Sequence, residues 1–205
     1  MENTNKDGWK LERSEPGPGL KIFRSRLDYM RNPRNGKTEA MVILEGADAA
    51  NIVAVTPDRQ IVFVRQYRFG TGNDTLELPG GAVNPDEPQA DAAMRELAEE
   101  TGYTAPEWRH LGSIPSNPVF MNSFIFHWLA LGARPTLAQN LDDGEAVEVV
   151  LLPESEVLDK LLAGWFQHTH TVNALLRYFV EEGLLGEGEG GRGRGGEGER
   201  GRWGD

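Results

Sequence analysis

From Gly81 to Tyr103 the chain reads GAVNPDEPQADAAMRELAEETGY, and its last nine residues pose the problem that decides the fold. Glu96, Glu99 and Glu100 crowd one helical stretch of a protein whose formal charge is already −11. Like charges three and four residues apart repel on a helix, at about 0.2–0.5 kcal/mol per pair. Either they face open water or something cationic lies among them. Pro88 stands where a first helical turn tolerates proline and Gly102 where a helix ends, which predicts a helix from about Pro88 to Thr101. With Leu97 at the centre of the apolar face, Ala90, Ala93, Met94 and Thr101 fall within roughly 60° of it at about 100° per residue. The three glutamates take an adjacent arc of roughly 100° that begins at the edge of the core. They point where a sheet or loop would meet the helix.

Working outward, TLELP (Thr75–Pro79) reads as a short strand running into the Gly80-Gly81 turn, where a glycine pair lets backbone come close to a neighbour or a bound ion. Upstream, NIVAVTPDRQIVFVRQYR is two β-branched runs around Pro57-Asp58-Arg59, a hairpin with its turn chemistry in place. AMVILEG and LKIFRSRLDYM predict two further strands, with Asn35-Gly36 as a turn between them. Downstream, SFIFHWLALG and AVEVVLLP read as strands, and SEVLDKLLAGW and TVNALLRYFVEEG carry the apolar spacing of amphipathic helices. Strands with helices laid on them make an α/β (α+β) sandwich. Three segments are expected: N-terminal strands over 1–45, a main domain over 46–184, and a Gly/Glu/Arg-rich tail over 185–205. The tail has almost no apolar residue and is expected to be disordered.

The chain has no cysteine, which excludes a disulfide framework, a thiolate metal site and a cysteine nucleophile. The N-terminus shows no apolar leader and no run approaches the length of a membrane span, so a cytoplasmic location and no membrane partner are expected. Net negative charge argues against nucleic acid as a partner. The arginines of the tail do not change this, because glutamates interleave them. A phosphate-bearing substrate would need metal ions as mediators.

From Gly81, five residues lead to Glu87 and seven more to Arg95, followed by Glu96, Leu97, Glu99, Glu100, Gly102 and Tyr103. This spacing resembles the signature of the Nudix hydrolases at every fixed position, with Leu97 and Tyr103 at its bulky apolar sites. The resemblance implies an α/β/α sandwich with a mixed β-sheet and N-terminal antiparallel strands. It also implies Mg²⁺, or Mn²⁺, held by Glu96, Glu99 and Glu100 with the carbonyl of Gly80 as a further ligand. Hard carboxylate oxygens on one helix face suit such an ion. By the same resemblance Glu99 helps to activate water, Glu87 and Arg95 form an ion pair, and Gly81 and Gly102 shape the motif. The implied reaction is hydrolysis of a nucleoside diphosphate linked to another group.

The stretch VRQYRFGTGNDTLELPGG is similar to the ADP-ribose and nucleotide-sugar pyrophosphatase branch. That likeness implies substrate contacts from Arg68, with Arg65, Gln66 and Glu77 nearby, and from Pro118 beyond the motif. Asn117, Phe120 and Asn122 either line a sugar pocket or form a turn. In NLDDGEAVEVV the likeness makes Glu145 an additional metal ligand and Asp143 the catalytic base, where the branch more often has glutamate. It further implies a nucleotide-sugar substrate and a homodimer paired through the N-terminal strands. His168 and His170 read as flanking the N-cap of the last helix, with Thr169 or Thr171 capping. A Nudix hydrolase of nucleoside triphosphates or RNA 5′ ends, and a nucleotide-sugar-sensing module, are the alternative functions.

Overall fold

A computed structural model describes residues 8–142, 144 and 146–185. Of the expected tail over 185–205, the residues from Gly186 onward, together with Asp143 and Glu145 of the acidic loop, lie outside the described residues. The chain begins with three strands, β1 (Lys10–Pro16), β2 (Arg24–Arg31) and β3 (Thr38–Glu45), in an antiparallel sheet ordered β1-β2-β3. β1 is exposed at every position. This sheet joins the rest of the fold through Leu44, which forms a parallel bridge to Met121 and donates its N–H to the Phe120 carbonyl at 2.7 Å.

The main sheet is built from β4 (Ala49–Val55), β5 (Gln60–Arg68), β6 (Asn73–Glu77), β8 (Glu107–Pro115), β9 (Phe124–Leu131) and β11 (Val147–Pro153). Its order is β11-β5-β4-β9-β8, with β6 beside β5. β4 runs parallel to β9 and all other pairs are antiparallel, so the sheet is mixed. Short strands β7 (Tyr103–Thr104) and β10 (Arg134–Pro135) form a separate pair. Three helices complete the fold: α1 (Gln89–Thr101), α2 (Glu154–Leu162) and α3 (Thr169–Glu181).

The apolar run of β4 is covered on both faces, as expected of a central strand with a parallel neighbour. Ile52 and Ala54 pack with Ala93 and Leu97 of α1, while Val53 and Val55 pack with Leu175, Tyr178 and Phe179 of α3. Helices on both faces of one sheet give the α/β/α sandwich. Among the described residues no helix is long and apolar enough to cross a membrane.

Two features of the hairpin matter for function. Arg59 turns at φ 57°, and β4 and β5 then pair only at Ala54–Val62 and Val55–Ile61 before they separate. β6 takes over the freed length of β5, from Val64 to Arg68. The chain after β6 returns beside β4, where Ile52 N–H donates to the Pro79 carbonyl and Ala50 N–H to the Gly81 carbonyl, each at 2.9 Å. The separation opens a cleft between β4 and β6.

Several expectations need correction. Met94, placed on the apolar stripe of α1, is 42% exposed, and Ala92, Glu96 and Glu100 are buried instead. The buried arc is turned toward the glutamates because the Pro79–Ala82 strip, rather than water, lies against them. The last helix begins at Thr169, with His168 at the N-cap position and no side-chain cap. Thr171 does not cap: its Oγ1 accepts the Leu78 N–H at 3.0 Å and ties the helix to the end of β6. β1 and β8 had no counterpart in the predicted elements.

Candidate active site

The glutamates of α1 face a backbone strip that only glycine allows. At Gly81 a Cβ would stand 2.5 Å from Glu96 Oε2. At Gly80, with φ +156°, it would stand 2.2 Å from the Ala50 carbonyl oxygen. The absence of side chains lets strip and helix close together. Gly80 N–H donates to Glu100 Oε2 at 2.8 Å, and Glu96 and Glu100 are 8% and 3% exposed. Gly102 ends α1 in the left-handed region at φ 73°, with its N–H on the Ala98 carbonyl.

A cation does lie among the acidic groups, and it belongs to the chain. Arg95 donates twice to Glu87, from Nε at 2.8 Å and Nη2 at 2.9 Å, and from Nη1 to Glu96 at 2.7 Å and Glu99 at 2.9 Å. Its Nη2 also donates to the Ala82 carbonyl at 2.9 Å. The Arg95 guanidinium, with the Asn84 N–H, holds the Glu87 carboxyl down at about 2. The same contacts, Glu87 foremost, raise Arg95 beyond its ordinary value.

Three carboxylates on one helix supply hard oxygen donors, the donor chemistry that Mg²⁺ and Mn²⁺ accept. Among the described residues no three acidic or histidine side chains stand together as a preformed cation site. Glu96 and Glu99 share Arg95, and Glu100 holds the Gly80 N–H. The donor set therefore fits a divalent ion by type, with re-aiming of the carboxylates required. Beyond α1, Asn140 N–H donates to the Glu99 carbonyl at 2.9 Å, which fixes the chain at Asn140 beside this helix.

On the other edge of the strip lies a cleft of about 230 Å³, lined by Asp48, Asn51, Arg68, Glu77, His168 and His170 together with Gly80–Ala82. Arg68 clamps Glu77 with two bonds, Nε to Oε1 at 2.7 Å and Nη2 to Oε2 at 2.6 Å. Glu77 is 1% exposed, Thr75 Oγ1 donates to it, and His168 Nδ1 lies 3.1 Å away. Burial pushes the Glu77 carboxyl up, but Arg68 with His168 and Thr75 outweighs it and leaves the group below the ordinary carboxylate range. Burial brings His168 down to about 4 despite the carboxylate beside it.

The structure brings Arg68, Glu77, Gly80 and Gly81 to one cleft and the carboxylates of Glu96 and Glu100 to its edge. Among the described residues, it does not bring Arg65, Gln66 or Pro118 into that cleft. Arg65 faces away from Arg68, donates to Glu148 at 3.1 Å, and lines a separate groove with Asn73 and Trp165. Gln66 pairs with Thr75 and Val147 within the sheet. Pro118 is exposed in a turn organised by Asn117, whose Oδ1 accepts the Val119 N–H at 3.2 Å. Asp48, Asn51, His168 and His170 were not among the predicted site residues. Asn51 could have been found, since a lone amide inside the apolar run of β4 is out of pattern.

A carboxylate-bearing helix set against a glycine strip and a polar cleft, in an α/β/α sandwich, carries the oxygen donors that metal-assisted hydrolysis of a phosphoanhydride bond uses. The chain belongs to the Nudix family: the NUDIX domain model matches residues 46–175. The chain is 30% identical over 151 residues to an ADP-ribose pyrophosphatase of Bacillus subtilis (strain 168), covering 69% of this chain and 82% of that protein. It is 29% identical over 165 residues to a methanol dehydrogenase activator of Bacillus methanolicus, covering 80% and 89% of the two. The crystal structure of an ADP compounds hydrolase matches with a TM-score of 0.74 at 25% identity, covering 88% of this chain and 96% of that one.

Proposed function

We propose that this protein hydrolyses the pyrophosphate bond of a nucleoside diphosphate sugar, ADP-ribose or a close analogue, to a nucleoside monophosphate and a sugar phosphate. The observation that carries this reading is the burial of Glu96 and Glu100 against Gly80–Gly81, at the edge of a polar cleft that also holds Arg68. Relatives named ADP-ribose, ADP-sugar and GDP-mannose pyrophosphatases support the substrate class. Glu96, Glu99 and Glu100 would hold Mg²⁺ or Mn²⁺, which supplies charge neutralisation for the diphosphate and a more acidic water. Arg68, fixed by Glu77, orients the diphosphate. Arg95 holds Glu96 and Glu99 at the helix surface. Asp143 or Glu145 would take the proton from the attacking water.

An Mg²⁺-dependent panel of ADP-ribose, GDP-mannose, UDP-glucose, NADH and a nucleoside triphosphate, with Glu100→Gln as control, tests this. The amide oxygen of glutamine retains an acceptor for Gly80, so the fold is kept while the charge is lost. Cleavage of a nucleotide sugar by the wild type and its loss in the variant is expected. Cleavage of the triphosphate alone would overturn the substrate reading.

A homodimer paired through β1–β3 belongs to the same proposal. A three-stranded sheet needs a packed face for stability, and this one leaves apolar side chains exposed on both faces, Leu11 at 56% on the side of Met30 and Val42 at 54% on the side of Leu27. Sedimentation of Leu11→Glu and Val42→Glu should give monomers. A monomeric wild type would reject the pairing.

A further inference from the structure

The cleft holds more hydrogen-bonding capacity than the fold uses. Asn51 donates from Nδ2 to the Leu78 carbonyl at 3.3 Å, and its buried Oδ1 has no partner. Behind the cleft lining, across the β4–β9 ladder from Asn51, His127 is fully buried with neither ring nitrogen in a hydrogen bond. Asn173 lies beside that ring, outside hydrogen-bonding geometry. His170, whose Nδ1 is buried and unpartnered, lies at the cleft wall, 5.3 Å from His168 with the ring planes at 90°. His168 uses Nδ1 toward Glu77 and Thr171, and no partner takes its Nε2. Burial lowers all three imidazoles, His127 and His168 to about 4, so each is neutral at pH 7 and carries one donor and one acceptor nitrogen.

We propose that this cleft is the subsite for the sugar of a nucleoside diphosphate sugar, with His168 and His170 as the residues that select it. Its part in the reaction rests on the nucleotide-sugar substrate proposed above, while its binding of a sugar phosphate is tested separately. A hydroxyl both donates and accepts, and so do a neutral imidazole and an amide. Phosphate alone would call for several cations, and among the described residues the cleft lining holds one, Arg68, beside an amide and two imidazoles that suit hydroxyls instead. A nucleobase would call for parallel aromatic faces on which to stack, and the two imidazoles stand perpendicular. At about 230 Å³ the cleft falls below the roughly 300–1,000 Å³ that encloses a drug-sized ligand. One sugar ring fits that scale. A sugar there keeps its diphosphate beside Gly80–Ala82 and the glutamates, and the nucleoside leaves past Ala47 toward the groove formed by Leu20–Arg24 and Asn122.

The chain has four histidines, so their ring resonances can be followed singly by NMR. The metal-free full-length protein would be titrated with ribose 5-phosphate, mannose 1-phosphate and AMP, with His168→Gln and His170→Gln providing the assignments. At least one sugar phosphate should shift His168 and His170 at millimolar concentration, while AMP leaves them in place. Shifts with AMP alone, or with none of the three, would overturn the subsite. In kinetics, His170→Gln should change the ratio of kcat/KM for ADP-ribose over GDP-mannose by about tenfold at unchanged thermal stability. An unchanged ratio would also overturn it. If the wild type cleaves nucleotide sugars but no sugar phosphate moves the pair, the subsite fails and the proposed activity stands. If no nucleotide sugar is cleaved yet a sugar phosphate moves the pair, the activity fails and the sugar site stands.

Discussion

Gly81→Ala places the first atom of a side chain where the Glu96 carboxylate now lies. The added Cβ would stand 2.5 Å from Oε2, 2.6 Å from Cδ and 2.7 Å from Oε1, against the 3.4 Å at which ordinary contact begins. The carboxylate must therefore retreat by about 0.9 Å, the difference between 3.4 and 2.5 Å. Glu96 is a flexible side chain and can give way, so the cost in stability should stay near 1 kcal/mol, within the ordinary range for single substitutions. Function should suffer more, because a misplacement of about 1 Å at a reacting centre can cost on the order of 100-fold in rate. The assay is Mg²⁺-dependent cleavage of ADP-ribose, with a cation titration and a urea melt on the same preparation. A loss of about 100-fold in kcat/KM, a higher Mg²⁺ requirement and a nearly unchanged melt are expected. Gly80→Ala provides the contrast, since its Cβ would meet the Ala50 backbone at 2.2 Å and must disturb the strand itself. Full activity in Gly81→Ala at normal Mg²⁺ would refute the idea that Glu96 is held in place by the missing side chain.

Glu87→Gln should remove an acid-dependent part of the stability. The folded pKa lies near 2 against an ordinary 4.5, so the contribution is complete above pH 4.5 and disappears as pH falls toward 2. Denaturant melts of wild type and variant across that range should converge at the acid end, and a constant difference would contradict the ion-pair account. His127 works in the same direction by a different route. Its folded pKa of about 4 lies below the ordinary 6.5, so the unfolded chain takes up the proton first and stability falls as pH drops from 6.5 to 4, by about 3 kcal/mol at about 1.4 per unit. His127→Leu should flatten that stretch of the stability profile, and an unchanged slope would place the acid sensitivity elsewhere. Thr171→Val leaves the Leu78 N–H without its acceptor and should cost about 1–3 kcal/mol in a urea melt. A loss below about 0.5 kcal/mol would mean that another group satisfies Leu78.

The sequence by itself determined whatever depends on local spacing. The Pro88 and Gly102 limits of α1, the apolar run of β4, the turn at Pro57–Arg59 and the spacing from Gly81 to Tyr103 follow from residues close in the chain, where propensity and periodicity act directly. β1 was not legible because all its side chains are exposed and it carries no alternation. β8 was obscured by the bulge between His110 and Gly112, which breaks its period beside β9. Only the tertiary structure decided the site's surroundings. It turned the buried face of α1 toward Glu96 and Glu100, and joined Asn51 to two histidines more than a hundred residues away. Such partners meet because the sheet opens between β4 and β6 and the N-terminus of α3 closes over the gap. That geometry comes from the packing of distant elements, to which no local pattern in the chain is sensitive.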